Sequence, residues 1–109
     1  MDSIMPTERD TCYICGCFLS SWNREEHHIF FGSANRRISE QEGMKVFLCK
    51  ECHRTSRGSV HKCRAADLDL KKEAQTVWEE KYIEKYPYEN HAQEAAREAF
   101  RALFGRSYL

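Results

Sequence analysis

Two short cysteine pairs constrain the fold of this chain more than any other sequence feature. Cys12 and Cys15 form the first Cys-x-x-Cys pair, and Cys49 and Cys52 form the second. The two-residue spacing lets both sulfurs of a pair reach one ion from a single turn, and four thiolates satisfy the tetrahedral coordination of zinc. The sequence therefore predicts a closed, structural zinc site at these four cysteines. Disulfide bonds and unliganded buried thiols are the alternatives.

The remaining composition favours metal binding over disulfide formation. Mean hydropathy is -0.73, and no apolar run approaches the twenty residues that a membrane span needs. The first ten residues hold acids and Pro6 where a signal peptide would have an apolar centre. We therefore expect a cytoplasmic protein with reduced cysteines. Cys17 and Cys63 are left over, each either a substitute ligand or a small buried apolar residue.

The 109-residue length fits a single domain with two parts. Residues 11–64 contain every cysteine and four of the five histidines, whereas residues 65–109 show the apolar spacing of helices. In the first part we expect strands at 28–31 and 45–48, joined by a turn-rich polar loop, and then a short helix ending near Gly58. In the second part we expect a helix that begins at Asp67 or Asp69 and stops at Pro87, and another from about Asn90 to Phe104. The predicted fold class is α+β.

The histidines point to a second metal site beside the zinc. His27 and His28 are adjacent, and His53 directly follows Cys52. A zinc ion that joins the two cysteine pairs would hold His53 close to the strand that carries His28. Adjacent residues of a strand point to opposite faces, which suits a metal ligand beside a general base that the metal leaves free.

Local charge favours a phosphate-bearing substrate. The 17 basic and 17 acidic side chains of the whole chain cancel, so net charge alone predicts no partner. Between His27 and Arg64, however, there are eight basic and only three acidic residues. A basic strip around a metal site is typical of proteins that bind nucleic acid.

Taken together, these motifs resemble the HNH endonucleases, which have the ββα-metal fold. The resemblance lies in Cys12-x-x-Cys15, His27-His28-Ile29, Asn35 and Leu48-Cys49-x-x-Cys52-His53. In particular, the chain resembles the small HNH proteins of phages and prophages that carry a four-cysteine structural zinc. These also share a Gly-x-x-Asn-Arg turn, a Val-His pair such as Val60-His61, and an ending like residues 104–109. The resemblance covers nearly the whole chain after residue 11.

The resemblance implies a metal-dependent endonuclease that hydrolyses DNA phosphodiester bonds. In that interpretation His28 is the general base that activates water, and Asn35 braces the loop and orients the base. His27 and His53 ligate the catalytic ion, with His61 as a further ligand. One divalent ion (Mg²⁺, Mn²⁺, Ni²⁺ or Zn²⁺) stabilises the scissile phosphate and the leaving oxygen.

The same resemblance extends to partners and location. Arg36, Arg37 and Arg54 are candidates to bind DNA phosphates. The family resemblance implies an association with the phage packaging machinery or with mobility, in the cytoplasm of a bacterial or phage-infected cell. A homodimer is expected for a different reason, because so small a domain offers few contacts with a DNA groove. No partner in a membrane is expected.

Two other functions are compatible with the sequence. A non-catalytic zinc-binding module for DNA binding or an adaptor role would keep the four cysteines and the basic strip, yet would tolerate the loss of His28. A zinc-stabilised protein-interaction domain would use the helical second part, but the charge excess around the histidines argues against it.

Overall fold

The computed structural model describes all residues from 1 to 109. Strand β1 (Arg24–His28) pairs with the antiparallel strand β2 (Lys45–Cys49), and helix α1 (Ser33–Glu42) lies between them in the chain. A π-helix (Glu51–Thr55) follows β2, and then come the helices α2 (Arg64–Lys85) and α3 (Ala92–Phe104). The predicted α+β class, a strand pair followed by a helical C-terminal region, is confirmed. None of the helices combines the length and apolarity needed to cross a membrane.

The register of the strand pair decides which side chains of β1 face the core. Glu25 lies opposite Leu48, and His27 lies opposite Val46. Since directly opposed residues share a face of the sheet, Glu25 and His27 lie on the face that carries these two buried apolar residues. The other residues of β1, Arg24, Glu26 and His28, lie on the opposite face.

The connection between the strands differs from the prediction. We expected a strand at 28–31 and a turn-rich loop, but β1 ends at His28 and the loop region forms helix α1. The Ser39 hydroxyl explains the early end of the strand, because it accepts the Phe30 N–H at 3.1 Å and donates to the Phe30 carbonyl at 2.7 Å. These bonds satisfy Phe30 in place of a neighbouring strand. Gly43, with φ of 71°, then ends α1.

Both predicted C-terminal helices are present, with small shifts at their ends. Helix α2 begins at Arg64, three residues before Asp67, and ends at Lys85, before Pro87; α3 spans Ala92–Phe104. One buried core joins the two parts of the chain, since the Phe30 ring packs against Phe100 at 5.4 Å and against Phe104 at 4.5 Å between centroids. The strand pair is thereby seated on α3.

Candidate metal centres

A cluster of four thiols joins the N-terminal loop to the end of β2. Cys12, Cys15, Cys17 and Cys49 place their sulfurs within 4.8 Å of one another. The Cys15 and Cys49 sulfurs, which come from different predicted pairs, lie 3.9 Å apart. Two thiolates bound at about 2.3 Å to one tetrahedral zinc ion would lie about 3.8 Å apart. The cluster is therefore consistent with a structural zinc site.

Backbone N–H groups point at sulfurs in both cysteine pairs. The Cys15 N–H donates to the Cys12 sulfur at 3.5 Å, and the Cys52 N–H donates to the Cys49 sulfur at 3.4 Å. Burial raises the pKa of Cys12, but backbone N–H groups, that of Cys15 foremost, lower it to about 7. Such donors stabilise a thiolate, which is the form that binds metal.

The fourth ligand position has two candidates. Cys52, which we predicted, is half-buried and is not a member of the compact group of four. Burial, followed by hydrogen bonding with Cys49 and Cys15, raises the pKa of its thiol. Cys17 is exposed yet belongs to the compact group of four. Contact with the Cys15 thiol raises the pKa of Cys17 to about 12. From the sequence we expected Cys17 to be either a substitute ligand or a small buried apolar residue. Its exposure contradicts the second expectation, and its Cys-x-Cys spacing with Cys15 was a signal for the first.

Three histidines form a second cluster. His27, His53 and His61 each bring one ring nitrogen within 4.8 Å of the others. The Nε2 atoms of His53 and His61 lie 3.1 Å apart, and the His27 ring centroid lies 5.0 Å from both of theirs. Two imidazole nitrogens bound to one tetrahedral zinc ion would lie about 3.4 Å apart. The group therefore has the ligand type and spacing of a metal site.

His27 gives this cluster a buried nitrogen without a partner. Its side chain is 1% exposed, and Nε2 makes no hydrogen bond. Burial, with smaller contributions from His53 and His61, lowers the pKa of His27 to about 3. The imidazole is therefore neutral at pH 7, as ligation requires. A buried polar atom without a partner calls for an explanation, and a metal ion would supply the missing one.

Three separate segments position the three histidines. Strand β1 carries His27, the π-helix carries His53, and the segment before α2 carries His61. This segment is pinned to the π-helix by two backbone bonds, from the Val60 N–H to the Cys52 carbonyl at 2.9 Å and from the His61 N–H to the His53 carbonyl at 3.2 Å. The π-helix thus carries both Cys52, whose N–H contacts the Cys49 sulfur of the thiol cluster, and His53 of the histidine cluster.

A carboxylate that sequence analysis missed contacts this cluster. Glu25 lies 2.8 Å from His53 Nδ1 and accepts two bonds from the Arg54 guanidinium at 2.9 and 2.8 Å. Hydrogen bonding from Arg54 in particular lowers the pKa of Glu25 to about 2. The guanidinium that we predicted to bind DNA phosphate is therefore engaged by Glu25. The two-residue spacing between Glu25 and His27 was a signal for a shared strand face, but the predicted strand began only at residue 28, whereas β1 spans Arg24–His28.

A charged pair on α2 lies beside the same histidines. Lys71 places its ammonium 4.2 Å from the Phe31 ring centroid and 2.9 Å from Asp67. Burial and the neighbouring His53 lower the pKa of His61, whereas Asp67 acts to raise it. The second Asp67 oxygen, Oδ1, is buried without a hydrogen bond. The sequence analysis assigned neither Asp67 nor Lys71 to a site.

His28 and Asn35 are not brought into the histidine cluster. Strand alternation turns His28 to the other face of β1, where its Nε2 lies 3.7 Å from Glu40 and 3.9 Å from Glu26. Asn35 is half-buried in the first turn of α1. The exposed Arg36 and Arg37 line a shallow cavity of about 420 Å³ on the same side as His28.

Comparisons with protein-family models, with curated proteins and with solved structures found no match. The structure itself shows an α+β fold, a thiol cluster consistent with structural zinc, and a three-histidine group able to hold a metal ion.

Proposed function

We propose that this protein is a metal-dependent endonuclease of the HNH type, which hydrolyses DNA phosphodiester bonds with one divalent ion at His27, His53 and His61. The observation that carries the proposal is the convergence of these three imidazoles on one point, with the buried Nε2 of His27 lacking any other partner. Three protein ligands leave a coordination position for water or substrate, as catalytic zinc sites do. Imidazole ligands favour Zn²⁺, Ni²⁺ or Mn²⁺ over Mg²⁺.

When bound, the ion would lower the pKa of the attacking water and offset the charge that develops on the scissile phosphate and the leaving oxygen. The chain supplies the surroundings. His61 is exposed, so a DNA strand can approach the cluster from its side. The exposed guanidinium groups of Arg36 and Arg37 are available for phosphate oxygens.

We assign the proton-accepting role to His28 from the HNH resemblance. His28 directly follows the proposed ligand His27 but lies on the opposite face of β1, beside Glu26 and Glu40 and outside the histidine cluster. A base of this kind must remain free of the metal. Asn35 is proposed to brace the start of α1 and to orient His28. The small size of the domain supports a homodimer, and the HNH resemblance supports an association with the phage packaging machinery.

A plasmid-cleavage assay tests the proposal. Protein with its thiol-bound zinc retained is freed of other metals and incubated with supercoiled DNA while Mg²⁺, Mn²⁺, Ni²⁺ or Zn²⁺ is added singly. We expect metal-restored cleavage by the parent and a loss of at least about 100-fold in His53→Ala. His91→Asn is the matched control, because His91 is exposed and has φ of 55°, a conformation that asparagine tolerates.

His28→Ala tests the base separately. Lost cleavage with unchanged metal affinity would support His28 as the base, whereas full activity would remove it from the mechanism. The second candidate function is a non-catalytic zinc-binding module for DNA binding or an adaptor role, which the position of His28 and Asn35 outside the histidine cluster favours. If the folded parent binds DNA but cuts it with no ion, this module is the better account.

A further inference from the structure

We infer that Glu25 is a positioning residue of the histidine cluster, and that Arg54 acts through Glu25 and not on a DNA phosphate. Glu25 orients the His53 ring and fixes which nitrogen carries the proton. The inference rests on the proposed function only in taking the three histidines as the metal site.

The contact between Glu25 and His53 determines the tautomer of the histidine. An ionised carboxylate only accepts hydrogen bonds. His53 Nδ1, which lies 2.8 Å from Glu25 Oε1, must therefore carry the hydrogen. Nε2 is then the nitrogen with the free lone pair, and it is the atom that faces His61 Nε2 at 3.1 Å. Glu25 thus presents the correct nitrogen of His53 to the centre of the cluster, as carboxylates do behind metal-binding histidines.

Arg54 fixes the carboxylate in turn. Its Nε donates to Oε1 at 2.9 Å and its Nη2 donates to Oε2 at 2.8 Å, so both oxygens of Glu25 are held. A two-point contact of this kind sets the plane of the carboxylate as well as its position. Because His53 and Arg54 are consecutive in the π-helix, the single side chain of Glu25 contacts both.

Strand β1 supplies both a ligand and the group that orients another ligand. Glu25 and His27 lie two residues apart on one face of the strand. The strand and the π-helix are therefore aligned by the same contacts that aim His27 and His53. The alternative is an ion pair that only holds these two elements together. In that case, removing the charge of Glu25 would leave the His53 tautomer and the metal affinity unchanged, and the experiment distinguishes the two cases.

The experiment uses the zinc-loaded full chain with Ni²⁺ alone as the probe. Nitrogen-15 NMR of the histidine rings reports the His53 tautomer before Ni²⁺ is added, and calorimetric titration gives the Ni²⁺ affinity. We expect the parent to hold His53 with the proton on Nδ1. Glu25→Ala should mix the two tautomers and weaken Ni²⁺ binding by about 10- to 100-fold. Glu25→Gln keeps an oxygen acceptor, so its His53 tautomer ratio and its Ni²⁺ affinity should lie between those of the parent and of Glu25→Ala.

Matched controls come from the same π-helix region. Glu51→Gln removes an equal charge from an exposed residue at the first position of the π-helix, and it should leave both readouts at parent values. Arg54→Ala should weaken Ni²⁺ binding about threefold or more, a smaller effect than that of Glu25→Ala. Its DNA binding without Ni²⁺ should match that of Arg57→Ala, which removes the same charge from a nearby exposed site.

Three results would overturn the inference: a parent His53 with the proton on Nε2, unchanged Ni²⁺ affinity in both folded Glu25 variants, or no Ni²⁺ binding by the parent. Neither readout depends on DNA cleavage. If the variants follow the expected order while the parent cuts no DNA, the proposed nuclease function fails and the role of Glu25 stands. If the parent cuts DNA and both Glu25 variants bind Ni²⁺ normally, the proposed nuclease function stands and the role of Glu25 fails.

Discussion

At the scale of single residues, burial prepares His27 for ligation. Solvent reaches 1% of its surface, and the low pKa that follows keeps its nitrogen available well below neutral pH. A ligand that holds no proton does not have to release one when metal arrives. Burial of a polar ring without a partner reduces folding stability. An apolar side chain would therefore stabilise the core more than His27 does if packing were its only role.

His27 also makes stability depend on pH in a definite direction. Its pKa of about 3 in the folded chain lies below the ordinary value of 6.5, so below pH 6.5 the unfolded chain takes up a proton that the folded chain refuses. The contribution of neutral His27 to the free energy of unfolding is therefore fully present above pH 6.5 and is lost as the pH falls towards 3. Between pH 7 and pH 5 we expect His27 to remove about 2 kcal/mol.

Urea unfolding of the zinc-loaded protein, with no metal added for the histidine cluster, measures this effect. The His27→Gln variant, which cannot titrate there, should lose about 2 kcal/mol less than the parent between the two pH values. The lowered pKa of His61 acts in the same direction, but it is common to both proteins and cancels in the difference. Equal losses in parent and variant would contradict the prediction.

At the scale of secondary-structure elements, the π-helix links the two clusters. Cys52 and His53 are neighbours within it, and β2 leads into it from Cys49. A zinc ion bound by Cys52 would hold the N-terminal part of the π-helix, whose next residue, His53, belongs to the histidine cluster. The two candidate centres would then be connected through one short element.

This arrangement leads to a prediction about the fourth zinc ligand. The N–H contact from Cys52 to the Cys49 sulfur matches the one from Cys15 to Cys12, so we expect Cys52 to complete the site and the exposed Cys17 to be dispensable. Cys52→Ser should lose zinc and also weaken Ni²⁺ binding at the histidines by about tenfold or more. Cys17→Ser should retain the full zinc content, measured by elemental analysis. The opposite pattern would assign the ligand to Cys17.

The elements differ in how far the sequence determines them. Apolar periodicity, with Pro87 as a stop signal, was sufficient to predict α2 and α3. Helix α1 was missed because Gly32, Ser33 and Asn35 are turn-forming residues. Helix α1, which begins after Gly32, is tied to the preceding segment by a tertiary contact between the Ser39 hydroxyl and the Phe30 backbone. Local propensity does not contain such a contact.

The candidate metal centres were predictable to a similar extent. Spacing and resemblance identified His27, His53 and His61, which the fold brings together. They could not reveal Glu25, because its contact with His53 depends on how the π-helix docks against β1. The resemblance also made Arg54 a candidate to bind DNA phosphate, and it could not reveal the ion pair with Glu25, which exists only in the folded chain.

At the scale of the whole molecule, one aromatic cluster holds the strand pair against the C-terminal helices. Phe30 lies three residues after His27 and packs against Phe100, Phe104 and Tyr108. The helical region is therefore the surface on which the strand pair is built and not a separate appendage. A substitution that destabilises the helical region should therefore also destabilise the arrangement of the histidine cluster.

A matched pair of phenylalanines tests this dependence. Phe30 is 1% exposed and Phe18 is 73% exposed. We expect Phe30→Ala to reduce the free energy of unfolding by about 3–5 kcal/mol because it leaves a cavity in the core. Phe18→Ala should change it by less than about 0.5 kcal/mol. Denaturation by urea, followed through helical circular dichroism, measures both, and similar losses would contradict a core shared by the two parts of the chain.

The π-helix also limits how the length of this chain can change during evolution. The Ser56 N–H bonds to the Glu51 carbonyl, so the turn contains one residue more than an α-helical turn. Deleting a residue there would swing the following side chains by about 100° around the axis and separate His53 from Glu25. Homologous chains should therefore keep the residue count between Cys49 and His61 constant. Insertions and deletions should collect instead in the exposed connection at residues 86–91.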